Sequence, residues 1–399
     1  MHLLIVNLHL DIGGVETLLV RLIPQLAQRG VSVTLMLLQR KVNQEFLESL
    51  QPYCQIKFIR DAFPFTRKHL RDFFGSQPDV AYFTINQAFV FGSWLLKRAG
   101  YKTKTVLGAY QTEIFCAPAK PWQYHRKIVQ NAIRKNIPAQ SVIFGNTAGR
   151  DYHASRLMTN LDDSPIVRLF VDVEKYKFIR RGPLLRRKIV SIGRISPYKT
   201  YNFTVLDIIK NLTEIGHHLE WDIYGDGENF GELQETIIEK NLEKYVHLHG
   251  TMSYSRFQEV LDDAFLFIGS GTSLIEASAC GVPSLTTIEY SNEALSYGFI
   301  SEIEGFNLIE PSLDKRIFSI EEKILEILNA SVSEYEQLQD QCYLKAISYS
   351  GSSVVDEYIA VFEASKINGV VTRITDSQIL GYVMSAAIGY MSRKIGIRH

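Results

Sequence analysis

"FIGSGTSLIEASACGVP", residues 267–283, reads as the end of an apolar strand, a turn of small polar residues, and a helix whose first turns carry one carboxylate, Glu276. In a parallel sheet such a turn lies at the carboxyl edge, where open α/β folds bind ligands. The backbone N–H groups of Gly271, Thr272 and Ser273, with Ser270 just before them, would point out of the helix start toward an anion. A carboxylate beside that nest would repel a phosphate it touched. Glu276 is therefore expected to take a hydroxyl of the same ligand.

Outward from this stretch the same alternation repeats. "KIVSIG" (188–193), "LEWDIYG" (219–225), "YVHLHG" (245–250), "FLFIG" (265–269) and "PSLTTI" (283–288) read as strands with helices between them. One such helix, Asn202–Thr213, carries Val205, Ile208, Ile209 and Leu212 on one face. The first half has its own series: strands at Leu3–Leu8, Val31–Leu38, Ile56–Ile59, Val80–Thr84, Thr105–Ala109 and Ser141–Phe144. Its first helix aligns Val15, Leu18, Leu19, Leu22, Ile23 and Leu26 on one face and ends at Gly30. Alternation of this kind builds a parallel sheet wrapped on both faces. The expected class is α/β, with two doubly wound Rossmann-like domains facing a cleft: residues 1–178, residues 179–369, and an amphipathic C-terminal tail helix over 370–399. "PIVRLFVDVEKYKFIRRGP" (165–183) reads as a last strand running into the linker between them.

Composition agrees with a globular protein. The chain has 399 residues, 46% hydrophobic and 22% charged, enough for two ordinary cores and excluding disordered or fibrous classes. Four widely spaced cysteines without a C-x-x-C read as reduced core thiols of a cytoplasmic protein. The N-terminus lacks signal-peptide features, and no apolar run reaches the roughly 18 residues of a membrane span. Net charge is zero but unevenly spread: residues 1–178 hold 23 Lys+Arg against 13 Asp+Glu, and residues 179–369 hold 16 against 29. The basic first half is expected to face an anionic surface or substrate.

Several residues carry chemistry. Arg194 and Lys199 leave the strand that ends at Gly193, five residues apart across a Ser-Pro turn, so that a fork and a point charge can converge on a diphosphate. A solvated surface pair is the alternative. Gly225 and Gly227 in "YGDGE" end the next strand, where missing side chains permit close backbone approach, although a lone G-x-G is more often a turn. In "HGTMSYSRF" the backbone of Gly250, Thr251 and Met252 is placed to read a nucleobase edge, with Ser253 as a helix N-cap; an ordinary β-α turn is the plainer account. Gly13 and Gly14 open a second anion nest at the first helix start, with Glu16 in its first turn.

In order and spacing, "GGVE", "VDVEKYKF", "GRISPYK", "YGDGE" and "EASACGVPSL" resemble the GT-B glycosyltransferases of family 4, the glycosyl transferases group 1 type. The resemblance spans most of the chain. It implies a nucleotide-sugar donor held mainly by the second domain, a UDP-sugar ahead of a GDP-sugar, and an acceptor held mainly by the first. It also implies transfer with retention of configuration, with no metal and no further cofactor. Glu276 matches the second glutamate of the family's Glu-x7-Glu motif, on the ribose hydroxyls, and Arg194 and Lys199 match the cations of the diphosphate. Two positions depart from the pattern. Ile268 stands where the first glutamate, a contact of the donor sugar, would fall. After "TVLGAY" the chain has Gln111, Thr112 and Glu113 where relatives often carry a histidine, leaving Gln111 and Glu113 as acceptor-side candidates.

The expected partners are a nucleotide-sugar and a glycan or lipid-linked glycan, with no nucleic acid. The tail adds an anionic membrane surface: "ILGYVMSAAIGYM" (379–391) is apolar and is followed by Arg393, Lys394 and Arg398, a pattern that lies in a bilayer interface. "YHRKIVQNAIRK" (124–135) adds a basic helix to the same half. A tail packed on the first domain is the rival. A nucleotide-sugar epimerase of the same fold and a non-catalytic nucleotide-binding module stay open as alternatives. "DIGGVE" lacks the spacing of a dinucleotide-binding G-x-G-x-x-G.

Overall fold

The computed structural model describes residues 1–110, 114–118, 124–181, 187–303, 316–366 and 374–381. The chain divides into two compact units, Met1–Phe170 with Ser352–His399, and Val171–Gly351.

The first unit has six parallel strands: β1 (His2–Asn7), β2 (Ser32–Leu37), β3 (Cys54–Phe58), β4 (Val80–Phe83), β5 (Lys104–Ala109) and β6 (Val142–Phe144). Their order is β3-β2-β1-β4-β5-β6, so the winding reverses between β1 and β4. Helices α1 (Gly14–Gln28), α2 (Gln44–Leu50), α3 (Arg67–Phe74), α4 (Asn86–Ala99), α5 (Tyr124–Lys135) and α6 (Thr147–Leu157) connect them. The apolar face read for α1 is buried throughout, and Gly30 turns the chain out of the helix at φ +76°.

In the second unit, β7 (Arg187–Ile192), β8 (Leu219–Tyr224), β9 (Val246–Gly250), β10 (Ala264–Gly269) and β11 (Ser284–Thr286) are all parallel, in the order β11-β10-β7-β8-β9. The winding reverses between β7 and β10. Helices α7 (Tyr201–Glu214), α8 (Phe230–Glu239), α9 (Thr272–Ala279), α10 (Ile320–Asn329) and α11 (Val332–Ile347) belong to this unit.

The observed division differs from the sequence reading in two places. The segment after β6 forms a single bridge, Phe144 to Ile166, instead of a strand, and the second unit already begins at Val171. The chain also returns to the first unit at Ser352, so that 352–369 does not belong with the second. Helix α12 (Ser352–Ala364) sends Val354, Val355, Tyr358 and Phe362 into the same core as Leu3, Ile5, Leu19 and Leu22. Arg29 pairs with Asp356 at 2.7 Å, and Lys104 donates to the carbonyl of Glu363. A helix that starts 182 residues after Phe170 leaves no local pattern to show which sheet it covers.

The described part of the tail packs on the first unit as well. Ile374 and Ile379 are buried in the core that contains Trp94 and Leu95 of α4. The Trp94 indole donates to Asp376 at 2.7 Å, Arg98 forks both oxygens of that carboxylate, and Lys97 donates to the carbonyl of Ile374. Residues 382–399, which hold most of the apolar run and all its basic end, lie outside the described residues. No described helix is long and apolar enough to cross a membrane.

Candidate functional site

Because β7 and β10 are neighbours, pairing Val190 with Phe267, the turns that leave them meet although 77 residues separate them in sequence. The β7 turn carries Arg194, exposed, and Lys199, buried at 8% exposure just before α7. The Lys199 ammonium lies over Gly193, where an added Cβ would stand 2.8 Å from its nitrogen. The β10 turn carries Ser270, buried, and Gly271, the residue before α9, at φ +83° and ψ −159°. A Cβ on Gly271 would meet nothing within 4 Å, so this backbone borders open space. Thr272 and Ser273 begin α9 half-buried.

Glu276 is 2% exposed. It is one turn too deep to serve as a complement to the helix start. Its Oε1 accepts from the hydroxyls of Tyr176 and Tyr254. Both tyrosine rings pack on buried Phe257, at 5.6 and 6.0 Å between centroids, and the Lys175 ammonium lies over both, 4.8 Å from Tyr176 and 4.1 Å from Tyr254. A carboxylate taken this far out of water must be hydrogen-bonded, and the tyrosines satisfy that requirement. The sequence reading quoted the segments that hold Tyr176 and Tyr254 without singling out either, since a tyrosine near a strand end carries no spacing signal.

A second carboxylate was missed. Glu289, three residues past β11, accepts from Ser270 Oγ at 2.7 Å. Burial pushes its carboxyl above the ordinary range, opposed by the charge of Lys199 and the bond from Ser270. Burial in turn pulls the Lys199 ammonium down, with Glu289 acting against the shift and Arg194 adding to it. The loop is tied in place where Tyr290 N–H donates to the Tyr198 carbonyl at 2.8 Å, bringing the β11 exit against the β7 exit. An acidic residue just past an apolar strand is the same signal that drew attention to Glu276, and "PSLTTIEY" carried it.

Ile268 is still inside β10 and is fully buried, with its carbonyl accepting from Ser191 Oγ at 2.6 Å. That position faces the core, so a carboxylate there could not reach a ligand without breaking the strand.

The glycines of "YGDGE" have a structural reason. A Cβ on Gly225 would fall 1.9 Å from the Gly193 carbonyl oxygen, and one on Gly227 would fall 2.2 Å from that of Ile195. The close approach read from sequence is therefore to the neighbouring backbone. Gly193 N–H donates to Tyr224, Ile195 N–H to Asp226 and Gly225 N–H to Gly250, which zips the three strand exits together and fixes Arg194. Gly250 takes φ +68° with open space beside it, Thr251 is exposed and Met252 half-buried. Ser253 precedes a single 3-10 turn, Tyr254–Arg256, and does not cap it; its hydroxyl pairs with Ser255 at 2.7 Å.

In the first unit the expected second nest already has a carboxylate. Glu16 Oε2 would stand 2.3 Å from a Cβ on Gly13, while Oε1 accepts from Asn7 Nδ2 at 3.0 Å. Asn7 in turn accepts from Thr84 at 2.7 Å. A ligand anion at Gly13 and Gly14 would meet the charge of Glu16, so this start is set for a neutral or cationic group instead. Gln111 and Glu113 lie outside the described residues.

Residues 172–296 match the family model described as glycosyl transferases group 1. This segment is a group 1 glycosyltransferase domain. It contains β7 to β11 and the second-unit residues described above, from Lys175 to Tyr290. A curated relative, the phosphatidylinositol N-acetylglucosaminyltransferase GPI3 subunit of Saccharomyces cerevisiae, is 30% identical over 105 residues, which are 25% of this chain and 23% of that one. The chain thus aligns with under a quarter of that relative's length. Among solved structures, HepE of Anabaena in complex with UDP and glucose superposes with a TM-score of 0.65 at 15% identity, covering 90% of this chain and 98% of that one. Sucrose-phosphate synthase from Thermosynechococcus elongatus gives 0.65 at 15% identity, covering 91% and 100%. These likenesses establish the fold: two units, each with a parallel α/β sheet, of the GT-B type.

Proposed function

We propose that this chain is a retaining, metal-independent glycosyltransferase. It moves a sugar from a nucleotide-sugar, a UDP-sugar first, to a glycan or lipid-linked glycan during synthesis of a bacterial cell-surface polysaccharide. One observation carries the reading. At one sheet edge, inside the group 1 segment, the fold gathers an exposed arginine, a buried lysine, a glycine-opened helix start and a buried glutamate. The first three suit a diphosphate, and the glutamate suits the hydroxyls next to it. A neighbour that binds UDP and glucose and a relative named for transferring N-acetylglucosamine to phosphatidylinositol support the same chemistry.

In a same-face transfer the bond from the sugar's anomeric carbon to the phosphate oxygen breaks. The bond to the acceptor oxygen forms on the same face, and the acceptor's proton ends on the departing phosphate. The chain must then stabilise charge growing on the diphosphate, through Arg194, Lys199 and the α9 amides, which are already in place and need no reorganisation. With a lipid-linked acceptor the enzyme works at the cytoplasmic membrane face, held there by the basic first unit and the tail.

A thermal-shift panel of UDP, GDP, ADP, CMP and NAD, followed by intact sugar donors of the nucleotide that binds, tests the reading. Stabilisation by UDP and UDP-sugars, with turnover only when an acceptor is present, is expected. Stabilisation by NAD alone, or release of free sugar without an acceptor, would overturn it.

A further inference from the structure

The group 1 reading leaves one carboxylate at this sheet edge, Glu289, unused. Glu289 and Lys199 both lie at the carboxyl edge, on turns leaving β11 and β7, with the β10 turn between them. The Ser270 hydroxyl, itself buried at 3% exposure, holds Glu289 Oε1 at 2.7 Å. Ser270 is also the residue before Gly271, whose α-carbon faces open space at the helix start. Lys199 interacts electrostatically with both Arg194 and Glu289. Two cations and one carboxylate therefore share neighbouring turns of one sheet edge.

A diphosphate is drawn to the two cations of such an edge and repelled from its carboxylate. What lies next to a diphosphate in a nucleotide-sugar, away from the nucleoside, is the sugar. Its hydroxyls are the donors that a carboxylate accepts from, and Ser270 adds a small polar group at the same place. Glu276, by contrast, has its Oε1 engaged by Tyr176 and Tyr254. Position 268 is closed off inside the core of the sheet.

Resting on the proposed glycosyl transfer, we infer that Glu289, oriented by Ser270, is the carboxylate that binds the hydroxyls of the donor sugar and sets which sugar is accepted. Lys199 bridges the two halves of the ligand: it neutralises Glu289 when the site is empty and shares its charge with the diphosphate when the site is filled.

The distinguishing experiment is calorimetry of UDP, UDP-glucose and UDP-N-acetylglucosamine on the full chain and its Glu289→Ala, Glu289→Gln and Ser270→Ala variants. The expected result is that Glu289→Ala keeps the UDP affinity of the unaltered chain within about twofold but weakens its best UDP-sugar about tenfold or more, the scale of a lost charged hydrogen bond. Glu289→Gln, nearly isosteric, and Ser270→Ala should fall between, with altered preference between the two sugars. If Glu289→Ala proves unfolded by circular dichroism, the Gln variant carries the same comparison. Equal loss of UDP and UDP-sugar would show that Glu289 acts only through Lys199, and unchanged affinity for both would show no sugar contact; either overturns the inference while leaving glycosyl transfer standing. Failure of the unaltered chain to bind UDP or any UDP-sugar would overturn both.

Discussion

On the proposed reading Arg194 and Lys199 share one task from different environments, one exposed and one buried. Replacing either by alanine is expected to cut turnover about a hundredfold, roughly 3 kcal/mol of transition-state stabilisation, with the fold retained. Steady-state kinetics on folded protein checks this, and normal turnover would remove the residue from the site. Glu276→Ala should weaken nucleotide binding by about 1.5–3 kcal/mol, the loss of a charged hydrogen bond. Calorimetry separates that from a purely internal role, in which Tyr176 and Tyr254 lose their acceptor and stability falls while nucleotide affinity holds. Glu289 brings a pH dependence. Its carboxyl binds a proton more tightly in the folded chain than at the ordinary value of 4.5. Its contribution to stability is therefore complete below 4.5 and is lost as pH rises through the folded value. Melting temperatures of the unaltered chain and Glu289→Gln, compared from about pH 7 downward, should show the unaltered chain gaining toward 4.5.

The turns after β7, β8 and β10 show why neighbouring glycines do different work. Gly225 lets two backbones pass so closely that a methyl group would overlap the Gly193 carbonyl. Gly225→Ala is expected to cost about 3 kcal/mol or more by overpacking, and to lower nucleotide affinity only as the fold is lost. Gly271 has room for a methyl group but holds a backbone conformation that other residues rarely adopt. Gly271→Ala should cost about 1–3 kcal/mol of strain at the helix start, so that nucleotide affinity falls while the melting temperature drops less than in Gly225→Ala. Thermal melts read beside calorimetry tell the two apart. Much of this was legible beforehand. The strands, the turns and the arginine, lysine and glutamate stood in the sequence as apolar runs followed by small or charged residues. Tyr176 and Tyr254 did not, because their meaning is a shared carboxylate contact made by segments 78 residues apart.

Across the first unit, the last described segment of the chain is structural. Truncation after Gly369 would remove Ile374 and Ile379 from the core and leave the Trp94 indole without Asp376. That variant is expected to lose about 3–5 kcal/mol by lost burial alone, enough to unfold a marginal domain. Truncation after Gly381 keeps these contacts and so isolates the membrane question. On our proposal, that shorter chain keeps its melting temperature and its UDP binding but no longer sediments with anionic liposomes at low salt. Unchanged liposome binding would assign the membrane surface elsewhere in the chain.

Local pattern was enough to establish two series of strand and helix, their parallel sheets and the edge on which ligand chemistry falls, because hydrophobic period and turn residues are properties of neighbours in sequence. The glutamate expected at position 268 came only from the family resemblance. Tertiary structure alone decided what long-range contact decides. Helix α12 and residues 374–381 return to the first unit, because their apolar faces fit a core laid down hundreds of residues earlier. The nest at Gly13 is already filled by Glu16, and Glu289 comes against Ser270 at the β10 exit, because a sheet brings together strand ends that the chain keeps far apart.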